Sequence, residues 1–373
     1  MTLTKLGMPK WGLSMREGAL VAWLVEEGAE LVQGDDVAEV ETEKINGIVE
    51  APAAGLLRRQ VARVGDVIPV GGLLGVLAEP DVSDAEIDAF VSEFQATFVP
   101  EAEEEEIGPA PESITVAGRS LRYLRHGNGP DSVVLLHGFG GDLSTWLFNH
   151  EALAREGRSV YALDLPGHGG STKDVGVGGL DDLAGTVAEA LEALELPRAH
   201  LVGHSLGAAV AAALARERPD GVASLVLVAS AGLGAEIDGE FVTGFIEAEG
   251  RRDLAPVLER LFADPRLVTR HFVEEVLKVK RLDGVDEALR AIAGAVFPDG
   301  RQAIAIAPWL AETDVPILAI WGESDRIVPR AHAASLPERA RVEVVAGSGH
   351  MPQMEAPGEV NRLIDEFLES QAA

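Results

Sequence analysis

The sequence predicts a chain of two domains, a small all-β domain followed by a doubly wound α/β sheet with a helical cap. The chain has 373 residues, which is more than one ordinary small domain holds. Up to about residue 80, short runs rich in Val, Leu, Ile and Gly are separated by turn signals, as in a small β domain. From about residue 113, buried-strand runs alternate with longer helical stretches, which is typical of an α/β sheet.

The β-rich segment, residues 1–80, contains an internal repeat. A shift of 37 positions relates five pairs of residues: Gly28 and Gly65, Leu31 and Ile68, Gly34 and Gly71, Val37 and Leu74, and Val40 and Leu77. Two copies are too few for a solenoid. They predict a barrel or sandwich with approximate two-fold symmetry.

The segment 81–112 is predicted to be a short helix followed by an acidic linker. It holds eleven acidic residues and neither Lys nor Arg. Apolar residues recur at helical spacing between Asp84 and Phe98, which predicts a helix that docks on a neighbouring surface. The run of glutamates that begins at Glu101 repels itself, so we expect residues 99–112 to form a mobile tether.

The third segment, residues 113–373, carries six apolar runs that predict strands covered on both faces. They begin at Val133, Val160, His200, Leu225, Ile317 and Val342. Between about residues 232 and 308 the alternation stops and only amphipathic helical patterns occur. An all-helical insertion between two strands predicts a cap over the carboxyl edge of the sheet.

A lysine stands between two strand-like runs of the first domain. The segment from Glu39 to Pro52 contains Glu-Thr-Glu-Lys44-Ile and ends in Ala-Pro. This segment and the opening run Met8–Gly18 resemble the modification site of lipoyl domains, over residues 3–80. The resemblance implies a flattened barrel with lipoate attached covalently to Lys44. Biotinyl domains share that fold but usually place Met on both sides of the lysine, where this chain has Glu43 and Ile45.

A second motif predicts a nucleophilic serine. Gly203-His-Ser205-Leu-Gly207 follows an apolar strand and precedes an Ala-rich helix, as the nucleophile elbow Gly-x-Ser-x-Gly requires. Asp325 follows a later strand, and His350 lies in the last loop between a strand and a helix. A serine is a weak nucleophile alone, so we expect His350 to take its proton and Asp325 to orient the imidazole.

The order Ser, Asp, His resembles that of α/β-hydrolases. His137-Gly-Phe-Gly-Gly141 resembles the oxyanion loop of that family. The resemblance implies that the backbone N–H groups of Phe139 and Leu206 stabilise the tetrahedral intermediate. Asp164-Leu-Pro-Gly-His-Gly169 also matches the family and is interpreted as a structural loop. His168 and His204 lack partners at ligand spacing, so no metal site is predicted.

A lipoyl-type domain fused to an α/β-hydrolase-type domain resembles the dihydrolipoyllysine-residue acetyltransferase subunits of acetoin dehydrogenase complexes. The resemblance implies acetyl transfer from the lipoyl arm to coenzyme A. It also implies three kinds of partner: a thiamine-dependent dehydrogenase subunit, a dihydrolipoyl dehydrogenase and lipoylation enzymes. The chain lacks the His-x-x-x-Asp-Gly signature of other acyltransferase subunits and a clear Arg-rich subunit-binding domain. A homo-oligomer remains open.

Two alternative functions remain beside acyl transfer. One is a serine hydrolase, such as a thioesterase or C–C bond hydrolase, that carries a lipoyl module. The other is a carrier whose α/β domain serves only assembly, and the complete set of Ser205, Asp325 and His350 counts against it. The same three residues serve hydrolases and acyltransferases, so the sequence leaves those two open.

The charge of the chain restricts its partners. A net charge of −30 argues against binding to nucleic acid or to an anionic membrane. The chain has no cysteine, which excludes disulfides and Cys-based zinc sites. Its first residues lack a signal peptide, so a cytoplasmic protein is expected. Coenzyme A is itself anionic and needs a basic cluster, for which the cap offers these candidates: Arg251, Arg252, Lys278, Lys280 and Arg281.

Overall fold

The computed structural model describes residues 3–9, 15, 17–42, 46–98, 109–154 and 157–371. The chain divides into two compact units, residues 1–108 and residues 109–373. Each unit has its own hydrophobic core. None of the helices in the described part of the chain combines the length and apolar composition that a membrane crossing needs.

The first unit contains two four-stranded sheets. Its strands are β1 (Leu3–Gly7), β2 (Glu17–Trp23), β3 (Glu30–Leu31), β4 (Asp36–Glu41), β5 (Asn46–Glu50), β6 (Gly55–Gln60), β7 (Val67–Pro69) and β8 (Leu73–Ala78). The strand order is β1-β8-β6-β3 in one sheet and β5-β4-β2-β7 in the other. Buried side chains from both sheets, including Leu20, Val40 and Leu74, form one core between them. The predicted flattened barrel is confirmed.

The 37-residue repeat is a real symmetry of this unit. A shift by 37 positions carries β4 onto β8, and the two strands occupy equivalent places in their sheets. The turn glycines are related in the same way, because Gly28 and Gly65 have φ angles of +93° and +94°. Gly34 and Gly71, at +92° and +77°, form the second pair. Only glycine adopts such angles without strain, so the sequence repeat records a repeated turn.

Helix α1 (Asp84–Thr97) covers the outer face of the sheet that contains β8. Ser83 caps its N-terminus in a capping box with Glu86. Ile87 is fully buried and packs with Leu73 and Val76 of β8. The first compact unit therefore extends beyond residue 80, because the helix belongs to it. Residues 99–108, where the tether is predicted, lie outside the described residues.

The second unit is built on one eight-stranded sheet. Its strands are β9 (Glu112–Val116), β10 (Arg119–His126), β11 (Asp131–Leu136), β12 (Arg158–Leu163), β13 (Ala199–His204), β14 (Val222–Val228), β15 (Ile317–Gly322) and β16 (Arg341–Val345). The order across the sheet is β16-β15-β14-β13-β11-β12-β10-β9. Strands β11 to β16 run parallel, whereas β9 and β10 are antiparallel.

Helices cover both faces of this sheet and form a cap. Those in the layers are α2 (His150–Ala154), α3 (Leu180–Ala193), α4 (Leu206–Glu217), α10 (Pro352–Glu355) and α11 (Pro357–Gln371). Those between β14 and β15 are α5 (Gly239–Glu247), α6 (Arg251–Leu258), α7 (Arg270–Lys280), α8 (Val285–Val296) and α9 (Ala307–Glu312). Helices α3, α4 and the cap pack on one face and α11 on the other. The doubly wound sheet with a helical cap is confirmed.

Two details differ from the sequence prediction. The hairpin of β9 and β10 was not predicted, and Glu112, assigned to the linker, is the first residue of β9. Strand β16 was predicted to be covered on both faces, but it is the edge strand. Val342 and Val344 are therefore 42% and 44% exposed, while Val345 is buried. An apolar run predicts a strand but not whether its outer neighbour exists.

Candidate active site

Ser205 lies between β13 and α4 in a strained turn. Its φ and ψ angles are +52° and −114°, which a residue with a side chain rarely adopts. A Cβ atom on Gly203 would lie 2.4 Å from the carbonyl oxygen of Gly207, and one on Gly207 would lie 2.3 Å from that of Leu136. Glycine is therefore required on both sides of the turn. These contacts explain the Gly-x-Ser-x-Gly pattern as the condition for a tight nucleophile elbow.

Asp325 and His350 are in direct contact. His350 Nδ1 lies 2.9 Å from Asp325 Oδ2, and both side chains are buried. The other carboxylate oxygen of Asp325 accepts the backbone N–H groups of Ile327 and Val328 at 2.8 and 3.0 Å. The turn after β15 thus fixes the carboxylate, and the carboxylate fixes the imidazole with its Nε2 directed away from Asp325. This is the arrangement that a general base needs.

His204 joins the elbow to the loop that carries His350. Its Nε2–H donates to the carbonyl oxygen of His350 at 2.9 Å, and the two rings are in contact at an interplanar angle of 59° with centroids 4.7 Å apart. Ser205, the next residue along the chain, is therefore held beside the same loop. In the part of the chain that the structure describes, Ser205 Oγ makes no direct hydrogen bond to His350. Such catalytic bonds often tighten only when substrate binds.

The loop predicted to hold the oxyanion lies against the nucleophile. A Cβ atom on Gly138 would lie 3.1 Å from Ser205 Cβ, so the backbone at Gly138 packs against the turn of Ser205. Phe139 is the next residue along the chain. Leu206 is the first residue of α4, where backbone N–H groups have no partner within the helix. Neither Phe139 N–H nor Leu206 N–H has a hydrogen-bond partner among the described residues. Both groups are thus available to a developing negative charge.

The loop after β12 supports this oxyanion loop. Leu165 N–H donates to His137 Nε2 at 2.9 Å, so His137 Nδ1–H donates to the Gly138 carbonyl at 2.8 Å. Asp164 Oδ1 accepts Leu143 N–H at 2.7 Å, just beyond the oxyanion loop. Burial lowers the pKa of His137 and raises that of Asp164. Their partners are 20 to 30 residues distant in sequence, so only the fold reveals these supports.

The cap is attached to the loop that carries His350. His350 N–H donates to the Leu261 carbonyl at 2.7 Å. The carboxylate of Glu355 accepts Ala263 N–H and Gly349 N–H, each at 2.7 Å. Burial raises the pKa of Glu355, since these two bonds replace only part of its hydration. Glu355 thus joins the cap to the loop that carries His350. The sequence did not identify this role, because it depends on contacts with two backbone N–H groups.

The basic residues suggested for coenzyme A mostly have partners within the cap. Arg251 lies 3.2 Å from Glu274, and Lys278 pairs with Glu275. Lys280 donates to the Ile246 carbonyl at 3.0 Å, and Arg281 donates to the Glu249 carbonyl at 2.9 Å. These last two therefore hold α7 against the end of α5. A coenzyme A site at this cluster stays a prediction. In the described part of the chain, neither Arg252 nor Arg281 forms an ion pair, and Arg252 also has no hydrogen bond from its side chain.

The predicted attachment site, Lys44, lies outside the described residues. The strands on either side of it are described, and they pair antiparallel with Glu41 opposite Asn46. The four positions between them connect two neighbouring strands of one sheet. For metals, the described residues contain no cluster of three or more His, Asp or Glu side chains placed to hold an ion.

Two protein families match the two units. Residues 4–77 match a family described as biotin-requiring enzyme, and residues 131–357 match the α/β-hydrolase fold. Dihydrolipoyllysine-residue acetyltransferase components of acetoin cleaving systems match the whole chain. The protein from Pseudomonas putida is 51% identical over 97% of this chain and 98% of its own. The one from Cupriavidus necator is 46% identical over 98% of each.

The second unit also resembles solved structures. A meta-cleavage product hydrolase from Pseudomonas fluorescens IP01 superposes with a TM-score of 0.64 and 25% identity. The match covers 71% of this chain and 99% of the hydrolase. The region of similarity therefore corresponds to the α/β unit with its cap.

Proposed function

The chain belongs to the family of dihydrolipoyllysine-residue acetyltransferase components of acetoin cleaving systems, and we propose how its own residues perform the transfer. The protein is an acetyltransferase that uses lipoate as a bound group and coenzyme A as co-substrate. The contact of 2.9 Å between His350 and Asp325, beside the strained Ser205, is the observation that carries the proposed mechanism.

Lys44 is the proposed attachment point for lipoate. The support is its motif together with the antiparallel pairing of β4 and β5 on either side. When attached, the lipoyl group supplies the acetyl group as a thioester on a long arm. Glu41 is the last residue of β4, the strand before Lys44, so the surroundings of the arm carry negative charge.

In the first half of the reaction, Ser205 Oγ attacks the carbonyl carbon of the thioester. His350 Nε2 takes the hydroxyl proton, and Asp325 stabilises the imidazolium that forms. The N–H groups of Phe139 and Leu206 bind the carbonyl oxygen as it gains charge. The carbon–sulfur bond then breaks, and His350 returns the proton to the departing sulfur. Ser205 carries the acetyl group as an ester.

In the second half, the thiol of coenzyme A gives its proton to His350 and attacks the ester carbonyl. The bond to Ser205 Oγ breaks, and His350 protonates the oxygen, which restores the serine. Net transfer requires that the thiol reacts faster than water. Ser205 is only 5% exposed and His350 only 2%, which limits access of water to the ester.

The decisive experiment measures one substrate with and without coenzyme A. With S-acetyldihydrolipoamide, the unmodified protein should form acetyl-coenzyme A and little free acetate. Ser205→Ala should lower this rate by ~10³-fold or more, because the covalent step is lost. Near-normal turnover of Ser205→Ala would indicate direct attack by the thiol. Acetate production independent of coenzyme A would favour a serine hydrolase, the function of the structurally similar meta-cleavage product hydrolase.

The protein is a component of a multi-subunit acetoin cleaving system. We infer a thiamine-dependent dehydrogenase subunit that loads the arm, a dihydrolipoyl dehydrogenase that reoxidises it and enzymes that attach lipoate. The reaction supports this set, since transfer leaves a dithiol on the arm that must become a disulfide again. These partners and coenzyme A must share one compartment, for which the cytoplasm is the proposal.

A further inference from the structure

The chemistry of His350 determines where each part of a thioester must lie. His350 protonates the departing sulfur and deprotonates the incoming thiol, so both sulfur atoms must occupy the His350 side of the site. The carbonyl oxygen lies between the N–H groups of Phe139 and Leu206. The remaining substituent of the carbonyl carbon is the acyl chain. It must therefore point away from His350, toward the oxyanion loop and its covering.

Two buried aromatic rings from the cap cover the oxyanion loop and pack on the ring of its own Phe139. Phe139, Phe245 and Phe297 are 8%, 2% and 4% exposed. The ring of Phe139 makes edge-to-face contacts with Phe245 of α5 and with Phe297 at the end of α8, at centroid distances of 6.1 and 5.8 Å. Phe245 also lies directly over the backbone of the loop, since a Cβ atom on Gly140 would come within 2.5 Å of its ring.

We propose that Phe245 and Phe297 restrict the acyl group to the size of acetyl. The proposal rests on the function proposed above and adds the residues that select the substrate. Both rings come from the cap, Phe245 from α5 and Phe297 from the end of α8. A methyl group adds the least volume beside the rings, whereas each further methylene must displace a close-packed aromatic side chain. Interiors packed in this way resist added volume.

The test compares acetyl and butyryl thioesters of dihydrolipoamide with coenzyme A as acceptor. Phe245→Ala removes a ring larger than the two extra methylenes of butyryl. Because a pocket discriminates by about tenfold or more per methylene, the ratio of kcat/KM for butyryl to that for acetyl should rise at least roughly tenfold. Phe297→Ala should shift the ratio in the same direction.

A matched control comes from the same helix. Phe241 lies one turn before Phe245 and packs against it at 6.1 Å, but it makes no ring contact with Phe139 in the described part of the chain. Phe241→Ala loses the same side-chain volume and should leave the ratio unchanged. Phe245→Leu serves as a second variant if the alanine protein does not fold, and it should shift the ratio less.

The outcomes separate this proposal from the proposed function. An unchanged ratio in folded Phe245→Ala and Phe297→Ala proteins would overturn acyl selection by the rings. An equal change in Phe241→Ala would overturn it too, since loosening of the cap would then explain the effect. Loss of the Ser205 mechanism is detected independently, by the activity of Ser205→Ala on the acetyl substrate.

Discussion

Ser205 and Ala229 are strained residues that lie side by side at the carboxyl edge of the sheet. Their φ angles are +52° and +46°, and neither residue is glycine. The backbone of the two segments is joined, because Ser205 N–H donates to Val228 and Ala231 N–H donates to Ser205. Such conformations cost of order 1–3 kcal/mol each and persist only where the surroundings impose them. Two of the non-glycine residues with positive φ therefore lie at or beside the Gly-x-Ser-x-Gly turn, where the surroundings impose the conformation of Ser205.

Buried histidines at the same edge predict a loss of stability in acid. Burial lowers the pKa of His168 to about 3, and burial beside His350 lowers that of His204 well below its usual value. In the unfolded chain these groups bind a proton near pH 6.5. Between pH 6.5 and about 3 the unfolded state thus binds more protons, so the free energy of unfolding falls as the pH falls.

Urea unfolding between pH 7.5 and 5.5 measures this effect. Each such histidine adds a slope that approaches ~1.4 kcal/mol per pH unit well below pH 6.5. His168→Gln should therefore show a shallower decline than the unmodified protein, although it is less stable at pH 7.5. His271, which is only partly buried on α7, provides the control His271→Gln, whose decline should match the unmodified protein. Parallel declines in all three proteins would contradict the linkage to His168.

At the scale of elements, the internal symmetry explains why one sheet of the first unit carries a helix. Leu73, Val76 and Ala78 face α1, and the residues 37 positions earlier are Asp36, Glu39 and Glu41. The equivalent positions are thus apolar on one outer face and acidic on the other. Since a helix packs on apolar surface, α1 belongs to the sheet of β8.

The contribution of α1 can be measured by substitution of Ile87. Ile87→Ala should destabilise the first unit by roughly 2–5 kcal/mol, because the side chain is fully buried between helix and sheet. Hydrogen exchange followed by mass spectrometry should show faster exchange in β1 and β8 and no change in β11 to β15. The control Ser92→Ala alters an exposed position on the same helix. Equal protection of β8 in the Ile87 and Ser92 variants would exclude a stabilising role for the helix.

The sequence predicted the strands that are continuously apolar. It did not predict features that depend on residues distant in sequence. The six strands with buried runs were found, whereas β10 alternates apolar residues with Arg119, Arg122 and Arg125 and was not. The edge position of β16 depends on whether another strand pairs with its outer side, which its own sequence does not reveal. The turns that carry Ser205, Asp325 and His350 could be predicted because each follows a strand, whereas the catalytic roles of the three residues stay predictions. The backbone partners of Glu355 and Lys280 could not, since no local pattern encodes them.

At the scale of the whole molecule, the unit proposed to carry the lipoyl group and the unit proposed to catalyse acetyl transfer have separate hydrophobic cores. The core of the first unit shares no residue with the core around the sheet of the second. A change in one unit therefore need not disturb the folding of the other. Covalent linkage in one chain still raises the effective concentration of the arm at the acetyl-transfer site above that of a free substrate. Loading and transfer should consequently be separable by mutation.

Replacement of Lys44 tests this separation. Lys44→Ala, and Lys44→Arg with its charge retained, should both lack a lipoyl adduct by intact-mass measurement. Both should lose acetoin-dependent formation of acetyl-coenzyme A in the assembled complex, because no acetyl group reaches the protein. Their activity with S-acetyldihydrolipoamide should remain within about twofold, since the free substrate uses only Ser205 and its neighbours. Retained complex activity in Lys44→Arg, or a biotin adduct on the unmodified protein, would refute the assignment of the arm to Lys44.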